Sequence, residues 1–270
     1  MEKINNKIIF SNEEVENIID MYSNKQMSIL SIIKNLGYTV DSSVIKRILK
    51  NKGISIRDNN YYKKKYFNNH YFDKIETEEQ AYILGFIYAD GYISSNTFGV
   101  KVDTKDIDII EKIKSALQSE HKIVRGINRN NTASGENTEY VMLSINDSYF
   151  VSKLQELGVL YNKSKILTFP HFLDKSLIRH FLRGYFDGDG SVYITQNNPK
   201  FSLVGTKEFL ETALTYIKEN VNTKSNIHKN KTIYDIQIGG RNLIKQVYKY
   251  LYEDATIYLN RKYLKFKDLI

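Results

Sequence analysis

The feature that most constrains the fold of this chain is a nine-residue pattern that occurs twice, 99 residues apart. The first copy, ILGFIYADG, runs from Ile83 to Gly91, and the second copy, LRGYFDGDG, runs from Leu182 to Gly190. In each copy apolar residues recur at helical spacing, and an Asp-Gly pair marks the point where the helix must end. The match predicts an internal duplication in which two similar helices end in the same way.

A glycine lies inside each predicted helix, Gly85 in the first copy and Gly184 in the second. Glycine in a helix interior costs about 1 kcal/mol relative to alanine, so its presence at matched positions needs a structural reason. Small residues allow two helix backbones to approach closely. We therefore predict that the two helices pack against each other at Gly85 and Gly184.

The segments that follow the two copies have the same order of elements. In each, a predicted strand pair precedes a helix that opens with a Thr-Lys-acid sequence, at Thr104 in the first repeat and at Thr206 in the second. A second strand pair and a closing helix follow. We expect the first hairpins to turn at residues 96–97 and 197–199. The pattern predicts an α+β fold with two αββαββα units.

Asp90 and Asp189 close the two predicted helices. A carboxylate at a helix C-terminus meets the negative end of the helix dipole, so packing the two helices together brings the carboxylates into mutual repulsion. A hard divalent cation such as Mg²⁺ would compensate, and it could activate a water and stabilise the negative charge of a displacement. The alternative is that both aspartates only terminate helices. Asp187 lies about 200° around the helix from Asp189 and is matched by Tyr88, so we exclude it from the predicted metal site.

The two copies closely resemble the two signature motifs of the LAGLIDADG homing endonuclease family, and the resemblance spans about Glu76 to Tyr263. It implies a homing endonuclease-like fold of tandem αββαββα repeats with pseudo-two-fold symmetry in one monomeric chain. It also implies cleavage of double-stranded DNA at a long, asymmetric target, with metals held between the scissile phosphates by Asp90 and Asp189. We add Ala89 and Gly188, which precede the two aspartates, to the predicted metal site.

Members of the family usually have a lysine or another polar residue near each active site, where it polarises water or a phosphate. The sequence offers Lys163 and Lys165 between the repeats, and Lys262 in the basic tail, as candidates for this catalytic role. The alternative for each of them is a solvated surface lysine.

One face of each strand pair should contact helices, and the other should contact DNA. Polar residues that alternate with apolar ones along the strands are candidate groove contacts, because arginine can read guanine and glutamine can read adenine. The candidates are Lys101, Arg125, Ser191, Tyr193, Thr195 and Gln237. The alternative for each is an ordinary surface residue.

Three short helices are predicted before residue 57, and together they resemble a helix-turn-helix module. The third, Asp41 to Asn51, is the expected recognition helix, and a basic aromatic linker follows at residues 57–75. The candidate DNA-binding residues of the helix and the linker are Ser42, Ser43, Lys46, Arg47, Lys50, Lys63 and Lys64. The alternatives are a small three-helix bundle with a solvated basic face and a linker with solvated lysines.

Composition limits the classes of function. The net charge of +8 favours a polyanionic partner, and residues 1–75, with 13 Lys/Arg against 8 Asp/Glu, carry +5 of it. The chain has no cysteine, which excludes disulfides, thiol catalysis and cysteine zinc sites. We predict no signal peptide, membrane span or membrane partner, so the expected location is cytoplasmic.

The predicted organisation is a helix-turn-helix-like module at 1–56, the linker at 57–75, the first repeat at 76–157, a connector at 158–174, and the second repeat with a basic tail at 175–270. The predicted function is a metal-dependent, site-specific DNA endonuclease of the kind associated with intron mobility. The alternative is a non-cleaving nucleic-acid binder on the same fold, either a transcriptional regulator or an intron RNA maturase. The two aspartates favour the enzyme, because a pure binder does not need two repelling carboxylates.

Overall fold

The computed structural model of the protein describes residues 2–4, 7–25, 27–57, 65–128, 137–230 and 233–270. The chain forms two compact units, Met1–Lys65 and Tyr66–Ile270. The predicted DNA contacts Lys63 and Lys64 lie outside the described residues. No helix within the described ranges is long and apolar enough to cross a membrane.

The described residues of the first unit form a strand pair and three helices. Strands β1 (Glu2–Ile4) and β2 (Lys7–Ile9) are antiparallel. They precede helices α1 (Asn12–Ser23), α2 (Ile29–Asn35) and α3 (Ser42–Asn51). The apolar faces of the three helices form a core of their own, which consists of Ile18, Met21, Tyr22, Ile32, Ile45 and Leu49.

A side-chain cap determines where α3 begins. The backbone of Asp41 is extended, and its carboxylate accepts a hydrogen bond from the backbone N–H of Ser43 at 2.8 Å. The expected recognition helix therefore starts at Ser42, one residue later than predicted, because Asp41 is its N-cap.

The second unit contains two copies of one series of elements. The first copy comprises α4 (Glu78–Asp90), β3 (Gly91–Ser94), β4 (Thr97–Asp103), α5 (Ile107–Ala116), β5 (Val124–Asn128), β6 (Thr138–Asn146) and α6 (Ser148–Glu156). The second comprises α7 (Lys175–Asp189), β7 (Gly190–Thr195), β8 (Asn198–Gly205), α8 (Lys207–Asn220), β9 (Ile227–Asn230), β10 (Ile233–Gly239) and α9 (Arg241–Tyr252), followed by α10 (Asn260–Lys267). The predicted α+β fold of tandem αββαββα repeats is confirmed.

Each copy forms a four-stranded antiparallel sheet with the same strand order. The order is β3-β4-β6-β5 in the first sheet and β7-β8-β10-β9 in the second. In both sheets the first strand starts directly after a motif helix, at Gly91 and at Gly190. Residues such as Val100 and Phe201 are buried beneath the helices. Alternate residues lie on the opposite face of each sheet, which we call the open face.

The first hairpin turn of each copy differs slightly from the prediction. In the first copy the turn begins one residue earlier than predicted, and in the second copy it also begins one residue earlier and is one residue shorter. The turns comprise residues 95–96 and 196–197, so Thr97 and Pro199 belong to strands. Gln196 and Asn197 both have positive φ, +50° and +59°, as in a type I′ hairpin turn. Proline is tolerated at position 199 because it lies near the start of its strand.

The two copies meet along α4 and α7. A Cβ atom added at Gly85 would overlap the carbonyl oxygen of Phe181, and one added at Gly184 would overlap the carbonyl oxygen of Tyr82. The two glycines therefore allow direct contact between the helix backbones. Every residue from Ala81 to Tyr88 in α4 is buried, because α7 and the shared core enclose this helix.

Candidate active site

Asp90 and Asp189 are the last residues of α4 and α7, and the structure brings the two helix ends together. A Cβ atom added at Gly188 would overlap the Cβ of Ala89 and would lie 3.3 Å from Oδ2 of Asp90. The predicted metal-binding residues of the two copies therefore share one location. The close contact requires a glycine at position 188, because a larger side chain would push the helix ends apart.

The surroundings raise the pKa of both carboxyl groups. Desolvation by the protein raises the pKa of Asp90 to about 6, repulsion from Asp189 adds to this, and Lys262 and Lys163 lower it. Desolvation also raises the pKa of Asp189, while the same two lysines lower it. Within the described part of the chain, neither carboxylate accepts a hydrogen bond or takes part in an ion pair.

The donor set at the helix ends fits a hard divalent cation. Two neighbouring carboxylates that have raised pKa values and no ion pair with a described basic side chain would be stabilised by such an ion. The described residues contain no group of three or more His, Cys, Asp or Glu side chains that could hold a metal. The two aspartates would therefore need further oxygens from backbone, water or phosphate, which is how Mg²⁺ is commonly bound.

One lysine lies beside each helix end, and Lys163 and Lys262 are separated by the same 99 residues as the aspartates. The Nζ of Lys163 donates to the carbonyl oxygen of Ala89 at 2.9 Å and to that of Gly91. The Nζ of Lys262 donates at 2.6–2.9 Å to three carbonyl oxygens, those of Phe186, Gly188 and Gly190. Each lysine thus satisfies the last carbonyl groups of one motif helix and interacts favourably with its dipole.

Both lysines are buried, and burial lowers the pKa of each. The pKa of Lys262 falls to about 8, and the pKa of Lys163 falls as well. Ala89 and Gly188, which belong to the predicted metal site, each accept a hydrogen bond from one of these lysines at the carbonyl oxygen. A carbonyl oxygen has two lone pairs, so this bond leaves one for another partner.

Comparison with known families agrees with this geometry. A family model described as a LAGLIDADG-like domain matches residues 77–158 and 176–252, one segment in each copy. The chain belongs to the LAGLIDADG family. The fold is similar to the solved structure of the homing endonuclease I-WcaI bound to its DNA recognition sequence. The TM-score is 0.52 and the sequence identity 15%, and the match covers 79% of this chain and 97% of that chain.

Two curated proteins of Methanocaldococcus jannaschii are also similar in sequence. A glutamine–fructose-6-phosphate aminotransferase is 23% identical over 197 residues, which are 71% of this chain and 17% of that protein. The DNA-directed RNA polymerase subunit Rpo1C is 30% identical over 112 residues, which are 42% of this chain and 12% of that protein. The chain thus spans less than a fifth of the length of either relative.

The third candidate lysine of this LAGLIDADG protein lies away from the aspartates. Lys165 is exposed and lines a separate cavity of about 640 Å³, together with Thr206 and Lys229. Among the described residues it forms no hydrogen bond or ion pair with either motif aspartate. The structure therefore brings two of the three candidate lysines to the helix ends.

Four candidate DNA contacts lie on the open face of the second LAGLIDADG sheet. Ser191 and Gln237 are both in register with Ser202 and are exposed. The other two candidates on β7, Tyr193 and Thr195, share the face of Ser191 because they follow it at steps of two residues. These four side chains are therefore grouped on one surface, opposite to the helices.

Lys101 and Arg125 lie on opposite faces of the first sheet. Lys101 is in register with Met142 on the open face, and its Nζ donates to Oδ1 of Asn128 at 2.7 Å. Arg125 is in register with Val141, which is buried beneath the helices. Directly opposed residues point to the same face, so Arg125 lies on the helix side of the edge strand β5. The expectation that Arg125 shares the DNA-facing side with Lys101 is wrong.

In the first unit, the candidate contacts lie along α3. Ser43, Lys46, Arg47 and Lys50 are exposed, and Ser42 is half-buried at the start of the helix. The buried side of α3 carries Ile45 and Leu49. The basic side chains therefore form a separate, solvent-facing surface of this helix.

Sequence reasoning missed a buried ion pair between the two motif helices. Arg183 in α7 is fully buried and donates to Oε1 of Glu78 in α4 at 2.6 Å. It also donates to the carbonyl oxygens of Leu251 and Ile257 at 2.9 and 3.0 Å. Removing one member of such a pair leaves the others without their hydrogen-bond partner. Arg183 therefore connects α7 to α4, to the end of α9 and to the segment that follows α9.

Asp187 forms a second buried group one helical turn after Arg183. Its carboxylate accepts hydrogen bonds from the hydroxyl groups of Tyr82 and Tyr252, at 2.7 and 2.5 Å, and from the backbone N–H of Leu259 at 2.8 Å. Burial raises its pKa, and the three donors oppose that rise. A signal for both residues was present in the sequence, because charges four residues apart inside an otherwise apolar helix face the same side.

Proposed function

We propose that the protein is a site-specific endonuclease that hydrolyses one phosphodiester in each strand of double-stranded DNA. The observation that carries this proposal is the pair Asp90 and Asp189 at adjoining helix ends, with one lysine bound to the backbone on each side and, among the described residues, no basic side chain paired with either carboxylate. A structural pair of carboxylates would be expected to accept hydrogen bonds or to bind a basic side chain. This pair does neither within the described residues, which supports a role in binding a ligand.

Asp90 and Asp189 would hold the divalent metal, which we propose to be Mg²⁺, with the free lone pairs of the Ala89 and Gly188 carbonyl oxygens nearby. When bound, such a metal activates water and stabilises the negative charge of the displacement. Lys163 and Lys262 would keep the helix ends in place and present a positive charge to one scissile phosphate each. A Lys262 with a pKa of about 8 is mostly protonated at neutral pH, which suits this electrostatic role.

The open faces of the two sheets would contact the DNA on either side of the metal site. The proposed base contacts are Ser191, Tyr193, Thr195 and Gln237 in the second copy and Lys101 in the first. Since the two copies present different side chains, the target would be long and asymmetric, and a single chain would suffice to bind it. The basic surface of α3, with Lys46, Arg47 and Lys50, would add phosphate contacts.

The test begins with duplex DNA fragments that are selected from a random library for binding to the protein. Incubated with Mg²⁺, the selected DNA should be cut in both strands at one position. Asp90→Asn and Asp189→Asn should each bind with near-parental affinity and lose double-strand cleavage. The matched control is Asp268→Asn, which changes an exposed aspartate at the C-terminal end of α10 and should cut like the parent.

Tight binding by the parent without cleavage in Mg²⁺, Mn²⁺ or Ca²⁺ would refute the endonuclease and establish the alternative, a non-cleaving DNA binder such as a transcriptional regulator. In a separate binding assay, tighter binding of structured RNA than of the selected duplexes would instead favour a maturase-like role. Full cleavage by either aspartate variant would show that the metal site has been placed at the wrong residues.

A further inference from the structure

We propose that Tyr88 and Asp187 are positioning residues, each of which holds the chain segment that presents one of the two helix-end lysines. Tyr88 would position Lys163, and Asp187 would position Lys262. The two residues occupy equivalent places, each two residues before a motif aspartate. The consequence for DNA strands rests on the proposed endonuclease function, whereas the positioning itself does not.

In the second copy, the hydrogen bonds of Asp187 fix the start of α10. Asp187 accepts a hydrogen bond from the backbone N–H of Leu259, the residue immediately before this helix, at 2.8 Å. Lys262 follows only three residues later, and its Nζ lies on the carbonyl oxygens at the end of α7. The hydroxyl of Tyr252, at the end of α9, donates to the same carboxylate at 2.5 Å. One buried side chain therefore fixes the segment between α9 and α10 on both sides.

In the first copy, the hydroxyl group of Tyr88 takes the role that the carboxylate of Asp187 has in the second. Tyr88 is buried, and its hydroxyl donates to the carbonyl oxygen of Leu157, the C-cap residue immediately after α6. A Cβ atom added at the next residue, Gly158, would overlap this hydroxyl, and the φ of Gly158 is +90°. The chain then runs directly to Lys163. The tyrosine therefore sets the point at which the chain leaves α6 toward the lysine.

The geometry favours positioning over general support of the fold. Each anchor lies on the motif helix whose end the lysine contacts, and each contacts the segment that leads to that lysine. The ring of Tyr88 packs edge-on against Phe181, with centroids 5.0 Å apart. A phenylalanine at this position would keep that ring contact and lose only the hydrogen bond. Removing the hydroxyl alone should therefore loosen the path to Lys163 without opening a cavity.

The direct test is hydrogen–deuterium exchange of the metal-free, DNA-free protein, read by mass spectrometry in the two segments. Asp187→Asn removes acceptor capacity that three donors share, so exchange over residues 255–263 should become about tenfold faster. Exchange over residues 157–163 should stay unchanged in that variant. Tyr88→Phe should give the reverse pattern, with faster exchange in 157–163 alone.

The matched control is Tyr185→Phe. Tyr185 is a buried tyrosine of α7 whose hydroxyl donates at 3.0 Å to the carbonyl oxygen of Val204, a residue of β8 that belongs to neither lysine segment. Neither segment should change in this variant. Exchange that rises in both segments together, or in neither, would overturn the positioning role. Should Asp187→Asn fail to fold, Tyr88→Phe still decides the first half, and Tyr252→Phe, which removes one donor from the intact Asp187, decides the second.

A second readout follows DNA strands separately on a duplex that the parent cuts. Each variant should slow cleavage of one strand about tenfold and leave the other near the parental rate, and the slowed strand should differ between Tyr88→Phe and Asp187→Asn. Equal slowing of both strands by either variant would contradict the assignment of one lysine to one strand. If the parent cuts neither strand, the proposed endonuclease function is refuted. The exchange measurements would still test whether Tyr88 and Asp187 position the two lysine segments.

Discussion

The two copies share one backbone plan but hold their motif helices with different chemistry. The inner part of α4 is apolar apart from tyrosine hydroxyls, whereas α7 places Arg183 and Asp187 in the core at positions where α4 has Leu84 and Tyr88. Even so, both helices end in the same geometry, with an aspartate beside a lysine that is bound to backbone carbonyl groups. The comparison shows that the two halves have in common the backbone contact at the glycines and the lysine at each helix end, whereas the buried charges inside the helix belong to the second half alone.

The largest expected effect comes from removing the charge that only the second copy has. Arg183→Met would leave Glu78 and two backbone carbonyl groups without their buried donor, so the free energy of unfolding should fall by about 3–5 kcal/mol. At the equivalent place in the first copy, Leu84→Met is a volume-conserving exchange and should cost less than about 1.5 kcal/mol. Urea unfolding of both variants measures the difference. Equal losses would mean that the two helices do not differ in how they are held.

The next effect should be the same in both copies. Gly85→Ala and Gly184→Ala each put a methyl group into a backbone carbonyl of the facing helix, so each should destabilise the fold by about 1–3 kcal/mol. The control is Gly239→Ala, because a Cβ there has its nearest neighbour at 3.6 Å, an ordinary contact. Thermal unfolding should separate the two motif variants from the control. Parental melting of either motif variant would contradict the shared backbone contact.

A smaller effect is expected at the helix ends, where a substitution should increase the free energy of unfolding. The pKa of Asp90 is raised to about 6 in the folded protein, so the folded state binds the proton more tightly than the unfolded chain. The associated stability is present at low pH and is lost as pH rises through about 6. Asp90→Asn should therefore be more stable than the parent at pH 7.5, on the order of 1 kcal/mol, and the gain should shrink toward pH 4.5.

Asp189→Asn should act in the same direction, because the pKa of Asp189 is raised as well. Added Mg²⁺ should raise the melting temperature of the parent and have little effect on either variant, since only the intact pair would bind the ion in the folded state. A variant that is less stable than the parent at pH 7.5 would show that the carboxylate stabilises the fold and is not under repulsion.

Local periodicity was sufficient to predict the duplicated fold and to place Asp90 and Asp189 at helix ends. The face of Arg125 was not predictable in the same way, because a shift of one residue in strand register reverses every side chain, and β5 begins at Val124. The donors to Asp187 were also hidden, since Tyr252 and Leu259 are 65 and 72 residues away in the chain. The common spacing of 99 residues, however, would have separated Lys163 and Lys262 from Lys165.

The smallest effect on stability is expected in the first unit. This unit has no second copy, whereas the second unit consists of two LAGLIDADG repeats. Lys46, Arg47 and Lys50 are exposed on α3, so changing all three to alanine should alter the free energy of unfolding by less than about 0.5 kcal/mol per residue. Binding should change more, because each lost phosphate contact removes roughly 0.9 from the slope of log K against log salt. Footprinting should show protection shortened at one end of the target only.

A charge-matched control distinguishes these contacts from a general loss of positive charge. Lys218, Lys245 and Lys249 are exposed on α8 and α9, which cover the helix side of the second sheet, opposite to its open face. Replacing these three with alanine removes the same net charge, but it should leave the slope and the footprint as in the parent. If both triple variants lower the slope equally, the effect is one of net charge, and the α3 surface has no specific contact with the DNA. If the α3 variant has the same slope and footprint as the parent, the first unit does not bind DNA. The two halves of the second unit then account for the whole footprint.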